Sequence, residues 1–346
     1  MVKINFMEII KRTAFASLIV LLLLTGCKND KEVLNVAISP YQDIAMIVNI
    51  DNLKLEEKYN INVNLMTMNW EDILPALSSA GKTADIGFGS YIEYLTKYPK
   101  LNKDTKDPVL FIYPAYIFKG GGFITYDSIQ PFNRSNIDSL YLVNSFFGKK
   151  IGAQKNSVFE MMLYSLANRS NYDIAGAQIF DSPLNDAILA TQNGSLDIAA
   201  AGLTQITEAN KNGGKVILTM EDLGFADITG FICKKSTYDK RKEDIDNLIK
   251  MWFECVDYVF KDLEANSVRS LKYLDEKAAT KYTFDQYKTA LSQEYFPKSI
   301  NEADTEILNE GGLFYYKQIQ TEVIDYLKAN EVIKEKYQAP DFVKIE

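Results

Sequence analysis

Five aromatic side chains, Tyr41, Trp70, Tyr91, Tyr113 and Tyr116, fall within a residue or two of the carboxyl ends of β-rich apolar runs. Rings gathered there can sandwich a planar or cationic ligand, and Asp43 adds an acceptor for a ring N–H or an amine. Aromatic residues are 12% of the chain, so plain packing is the competing explanation for any one of them. Ser90, Ser157 and Thr204 stand at the starts of apolar-periodic segments, where a hydroxyl either donates to a ligand or simply caps a helix. Other chemistry is excluded. The chain contains no His, which removes Ser-His-Asp and Cys-His catalysis, imidazole proton transfer and every His-containing metal site. No carboxylate cluster recurs in the loops, so no catalytic residue, metal or cofactor is expected. Gly120-Gly121-Gly122 and Gly148-Lys149-Lys150 lack the Gly-Lys-Ser/Thr of a nucleotide phosphate loop. With 38 basic against 46 acidic residues and a net charge of −8, there is no footprint for nucleic acid.

The elements that must position these residues alternate. The 346 residues exceed one ordinary core of ~100 to 200 residues, so two lobes are expected. Strands are expected over 33–38, 61–68, 84–88 and 109–118, with helices over 44–59, 69–80 and 91–97; Asn69 is the N-cap of the second and Gly81 its stop. After Gly120–Gly122 a second unit repeats the pattern, with strands over 150–154, 177–180, 196–201 and 216–220 and helices over 157–168, 184–191 and 204–211. Short connections between alternating elements predict mostly parallel sheets. From Lys240 onward only helices are expected, led by a stripe of Ile245, Leu248, Ile249, Trp252, Val256, Val259, Phe260 and Leu263, then 268–280, 284–294 and 302–327. Ligands of such sheets bind at the carboxyl ends of strands, beside helix N-termini. That rule selects Ser39, Tyr41, Gln42, Asp43, Asn69, Trp70, Gly89, Ser90, Tyr91 and Tyr116 from the first unit, and Lys155, Asn156, Ser157, Ser182 and Thr204 from the second.

Residues 1–26 read as a processed leader: Lys3, Lys11 and Arg12 precede an apolar run, Ala14 to Leu24, and Leu24-Thr25-Gly26-Cys27 follows. The run is shorter than the ~20 residues a membrane helix needs. It resembles a bacterial lipoprotein signal, which implies lipidation of Cys27, cleavage before it, and a spacer over 27–32. Loss of the leader's net positive charge would leave the remainder more negative than −8. The other two cysteines, Cys233 and Cys255, lie in apolar contexts with no CxxC spacing and are expected as buried free thiols rather than a disulfide.

Further features carry a family resemblance. These are Leu34-Asn35-Val36-Ala37, the Ala76-Leu77 to Gly81 unit with Ala84-Asp85-Ile86-Gly87, Phe147-Gly148-Lys149-Lys150-Ile151-Gly152, Asn156-Ser157, and the echoing unit Gly194-Ser195-Leu196-Asp197-Ile198-Ala199. In order and spacing they resemble the solute-binding proteins of ABC importers, in particular the nitrate/sulfonate/bicarbonate and thiamine-precursor group. The resemblance runs through roughly residues 33 to 235. It implies a two-lobed α/β periplasmic-binding fold (type II) with a helical C-terminal part: lobe 1 over 33–118 and 230–346, lobe 2 over 124–225, and hinge crossovers at 119–123 and 226–229. It also implies a non-enzymatic, lipid-anchored, monomeric receptor on the extracytoplasmic side that hands a small molecule to an ABC permease. A heteroaromatic or amine-bearing nutrient is favoured as ligand over a sulfonate or oxyanion because of the aromatic loops and Asp43; none of Arg134, Arg169, Arg241 and Arg269 falls at an expected cleft loop, although helix N-termini alone could hold an anion. A pyrimidine-precursor-type enzyme on the same fold and a surface lipoprotein that binds macromolecules are the alternatives. Cys27→Ser is expected to move the protein from the membrane fraction to the soluble fraction, and a variant that stays membrane-bound at wild-type levels would refute the anchor.

Overall fold

Each strand of the first sheet that the sequence presents in order ends at the same edge, and the loops that carry the aromatic residues start there. The computed structural model describes residues 32–78, 83–103, 105–132, 145–169, 176–278, 281–334, 337 and 339–343. The leader, Cys27, Gly81 and Arg134 lie outside the described residues. In the first sheet β1 (Leu34–Ile38) pairs in parallel with β2 (Val63–Thr67) and β3 (Ile86–Ser90). β10 (Asp227–Lys234) is inserted antiparallel between β3 and β4 (Val109–Phe118), giving the order β2-β1-β3-β10-β4. The second sheet repeats this plan as β7-β6-β8-β5-β9, with β6 (Lys150–Gly152) parallel to β7 (Gln178–Phe180) and β8 (Ile198–Ala201). Here β5 (Gly122–Thr125) runs antiparallel between β8 and β9 (Lys215–Thr219).

The fold is a two-lobed α/β arrangement in which four of the five strands of each sheet run the same way and one is inserted antiparallel. The cause is connectivity. Strands that end at the interlobe edge hand the chain to the other sheet at that edge, so the arriving strand must run away from it, against its neighbours. Neither β5 nor β10 shows in the alternation of the sequence. Gly122 and Phe123, and Asp227 to Thr229, assigned to crossovers above, are strand residues: Gly122 pairs with Ala201 and Thr219, and Asp227, Ile228 and Thr229 with Phe118, Ile117 and Tyr116. Gly122 is required there, since a Cβ would lie 2.4 Å from the Leu218 carbonyl oxygen.

Two expected helices divide. The 44–59 segment forms a 3-10 turn at Ala45–Ile50 and a single helical turn at Leu55–Tyr59. Every residue of Ala45–Ile50 is buried, so this segment has no solvent face, and Lys54 takes the left-handed conformation (φ 51°) before the chain turns again. The 302–327 segment breaks between Leu308 and Tyr316, around Gly311 at φ 93°. The helix Lys235–Lys261 buries Ile245, Leu248, Ile249, Trp252, Val256 and Val259, as its stripe predicts, and the Trp252 indole N–H donates to the Ala115 carbonyl at 3.2 Å. Cys233 and Cys255 are buried thiols that form no disulfide. Helix Tyr316–Ala329 packs on both Tyr91–Leu101 and Val158–Arg169, with Tyr326 edge-on to Tyr164 at 4.9 Å. Among the described residues no helix is long and apolar enough to cross a membrane.

The first passage between sheets, Lys119 to Gly121, is gripped from outside. Tyr295 exchanges backbone hydrogen bonds with Ile117 (2.9 and 3.1 Å), and the buried Glu294 carboxylate accepts from the amides of Lys119 (2.6 Å) and Gly120 (3.1 Å). Removing that acceptor strands two amides in a poorly hydrated place. Glu294→Ala is expected to cost ~1 to 3 kcal/mol in urea denaturation and Glu294→Gln less; an alanine variant as stable as wild type would show that the grip contributes nothing.

Candidate functional site

Seven of the residues selected from the sequence meet in one cavity between the sheets: Tyr41, Gln42, Asp43, Trp70, Ser90, Tyr116 and Thr204. The cavity encloses about 590 Å³ of space free of atoms, part of it open to solvent. The loop after β1 supplies Tyr41 to Asp43, the segment after β2 supplies Trp70, the β3 end supplies Ser90, and the loop after β8 brings Gly202 to Gln205 from the other sheet. This is the geometry that parallel strands ending at a common edge impose. The far wall adds Gln154, Val158, Phe159 and Leu184.

The remaining selected residues are used elsewhere. Tyr91 is buried against Phe111 and Phe342 and accepts from Gln320 Nε2 at 2.9 Å, and Tyr113 points to the helical layer, donating to Asp304 at 2.6 Å. Ser39 donates to the Met68 carbonyl at 3.0 Å, and Gly89 pairs with Gly230 against Ile232. Asn69 is exposed and donates to Asp72, while Ser157 donates to the Gln154 carbonyl at 2.6 Å. The exposed Lys155 donates its amide to Asp181, the exposed Asn156 (φ 56°) gives its carbonyl to Thr96 at 2.9 Å, and Ser182 bonds Pro183. The aromatic sandwich is therefore smaller than expected: Tyr41 and Trp70 lie 6.3 Å apart with planes inclined by 34°.

Sequence reasoning missed Asp227, Thr229, Glu93, Phe118 and Gln205, all of which line the cavity. Asp227 and Thr229 had no signal because β10 was not recognised; the i, i+2 spacing of polar residues in Asp227-Ile228-Thr229 is the trace that a strand with one face at the site leaves. The Asp227 carboxylate closes the N-terminus of helix Tyr91–Leu101. It accepts from the Ser90 hydroxyl, the Ile92 amide at 3.1 Å and the Ile228 amide at 2.8 Å, while Ser90 Oγ accepts from the Glu93 amide at 3.0 Å. The position at which a helix N-terminus would hold a foreign anion is thus taken by a carboxylate of the chain itself.

The hydroxyls are also committed. Thr204 donates across the cleft to Gln42 Oε1 at 2.8 Å, and Tyr282 bonds both Thr204 (2.9 Å) and Gln42 (3.2 Å). The Tyr116 hydroxyl donates to Asp43 Oδ2 at 2.7 Å. Asp43 Oδ1, by contrast, is buried without a hydrogen-bond partner. Burial pushes the Asp43 carboxyl up to about 6, opposed by Tyr116 and by the nearby amides of Asp43 and Ile44. Burial likewise pushes Asp227 up to about 7 against its three donors, with the Glu93 charge adding to the rise. Burial, joined by the Asp43 charge, holds Glu294 well above the usual carboxyl range. Among the described residues lining the cavity there is no Lys or Arg, and no group of described residues could hold a metal ion.

No protein-family model matches the chain, and no curated protein matches it by sequence. Solved structures do match it in three dimensions. The periplasmic aliphatic sulphonate-binding protein SsuA of Escherichia coli superposes with a TM-score of 0.62 at 16% identity, over 89% of this chain and 95% of that one. The ligand-binding component of an ABC-type import system from Staphylococcus aureus, with zinc bound, gives 0.63 at 14% identity over 91% and 97%. The periplasmic nitrate-binding protein NrtA of Synechocystis PCC 6803 gives 0.59 at 12% identity over 78% and 75%. At these identities the likeness establishes the shared periplasmic-binding fold.

The buried carboxylates set a pH dependence. In the unfolded chain an Asp titrates near about 3.9, whereas in the folded protein Asp43 and Asp227 titrate at about 6 and about 7. Between those limits the folded state binds more protons, so these groups add stability as pH falls from above 7 towards 4 and withdraw it as pH rises. Asp227→Asn is expected to flatten this trend, the wild type gaining on the variant by on the order of a few kcal/mol between pH 8 and pH 5 in denaturant titrations. Parallel pH profiles for the two proteins would contradict the raised value.

Proposed function

We propose that this protein is the solute-binding component of an ABC import system, facing the extracytoplasmic side and held to a bacterial membrane by lipid on Cys27. The observation that supports it most directly is a cavity whose walls come from both sheets and across which Thr204 of one donates to Gln42 of the other. A ligand seated there touches both lobes, so closure and capture are one event. The fold shared with binding proteins of sulphonate, nitrate and ABC-type import supports the same role. Residues 33–118 with 230–346 form one lobe and 124–225 the other, and they swing about the two passages between sheets. The closed form is what a permease would receive.

The site works by binding alone. It has no histidine, Asp227 and Glu294 are used as acceptors for backbone amides, and the residues lining the cavity are mainly aromatic rings, amides and hydroxyls, with Asp43 among them. The cavity also offers little to the anions named for the structural neighbours, because no basic side chain lines it and the helix N-terminus at Ser90 is already occupied by Asp227.

Two measurements test the reading. Small-angle scattering of protein stripped of ligand by mild denaturation and refolding is expected to show a larger radius of gyration than protein purified from its native membrane, and native mass spectrometry of the latter a small bound solute. Identical scattering together with an empty cavity in the native preparation would refute it.

A further inference from the structure

We infer that the solute is an organic ammonium ion, a protonated primary or secondary amine whose N–H donates to Asp43 Oδ1. This inference rests on the solute-binding reading and specifies its ligand. Asp43 lines the cavity and is 3% exposed; its Oδ1 is buried without a hydrogen-bond partner, while its twin Oδ2 is fixed by Tyr116. Buried acceptors of this kind are costly unless a donor meets them, and a charged donor meets them best.

The other carboxylates of the cavity are already engaged. Asp227 accepts from Ser90, Ile92 and Ile228, and Glu93 is shared between the Trp70 indole N–H (3.3 Å) and Lys97 (3.4 Å). Asp43 is therefore the acid with an oxygen to spare. No Lys or Arg among the described lining residues competes for it. Around it stand Tyr41, Trp70, Tyr116 and Phe159, whose ring faces attract a cation.

The entrance has the same sign. A wider cavity of about 1690 Å³ shares Tyr41, Trp70 and Thr204 with the inner one and opens to solvent. Its wall carries Glu71, Asp72, Asp186 and Glu208 against a single basic residue, Lys277. A cleft lined mainly by one sign of charge concentrates counter-ions at its mouth. Mouth and floor thus select the same ligand charge by separate sets of residues. A quaternary ammonium would satisfy the field but bring no N–H to Asp43.

The test uses ligand-stripped protein at pH 8 and four probes of similar size: benzylammonium, benzyltrimethylammonium, benzyl alcohol and benzenesulfonate, each titrated by calorimetry and by Trp fluorescence. Benzylammonium is expected to bind most tightly, with the alcohol and the quaternary ion weaker by roughly 10- to 100-fold and the sulfonate undetectable. Asp43→Asn, which keeps an acceptor for Tyr116, is expected to erase the preference for benzylammonium over benzyl alcohol while circular dichroism stays native. If the variant does not fold, the ranking of the four probes on the wild type decides alone. Benzenesulfonate or benzyl alcohol binding as tightly as benzylammonium would overturn the ammonium assignment and leave the solute-binding reading standing. No binding of benzylammonium at millimolar concentration would also overturn the assignment, and the solute-binding reading would then be judged separately by its own scattering and mass-spectrometric result.

Discussion

The Asp227 carboxylate at the start of helix Tyr91–Leu101 is the contact on which fold and site both turn. It belongs to the strand that returns from the second sheet, and its acceptors take the Ser90 hydroxyl and the Ile92 amide of an element built much earlier in the chain. The helix dipole and three donors favour the charged form, while complete burial and Glu93 oppose it. Because the second effect wins, the charged form of this anchor is disfavoured relative to a free Asp. What the chain receives in exchange is register: Thr229, two residues on, is pinned opposite both Ser90 and Tyr116 on the cavity wall.

The other passage is held in the same manner. Glu294 accepts from Lys119 and Gly120 where the chain first crosses, and it too is driven towards its neutral form by burial and by Asp43. Each passage between the sheets is therefore fixed by one buried carboxylate rather than by an apolar plug. Amides of a crossing strand have no ladder partner at the point of crossing, and a carboxylate with two acceptor oxygens can satisfy a pair of them. Gly120 fits this grip because a Cβ would lie 2.5 Å from both Glu294 Oε1 and Leu203. Side chains of two separate stretches thus meet at one unsubstituted backbone position.

Much of this was legible beforehand, for identifiable reasons. The strands β1, β4, β6 and β9 announce themselves as apolar runs between turn residues, and the long stripe from Ile245 to Val259 faces the core as its period requires. Tyr41 to Asp43, Trp70, Ser90, Tyr116 and Thr204 were found because strand ends are where such sheets keep ligands. The rule failed where a residue at a strand end had a local occupation. Tyr91, just past the end of β3, and Tyr113, in the middle of β4, turn into apolar layers built by Phe342 and Phe253, more than 130 residues away in sequence, and no local pattern reports such partners. Asp227 was missed for the opposite reason, since an antiparallel insertion breaks the strand-helix alternation used to locate sheet edges.

The closing surfaces of the two lobes are unequal, and the inequality bears on how the cleft can open. On the side of the latch, contact between the sheets is polar and sparse: Gln42 with Thr204, and Lys211 Nζ with the Lys281 carbonyl at 3.2 Å. On the opposite side helix Tyr316–Ala329 lies against helices of both sheets, and its Val323, Tyr326 and Leu327 merge with Leu163, Leu166 and Phe159 in one apolar core. Hydrogen bonds between side chains exchange with water at a net cost of about 1 kcal/mol each, whereas separating packed apolar surfaces costs roughly 25 cal/mol for every Å² exposed. The contacts on the latch side are thus the cheaper ones to separate, and those of the helical side the costlier.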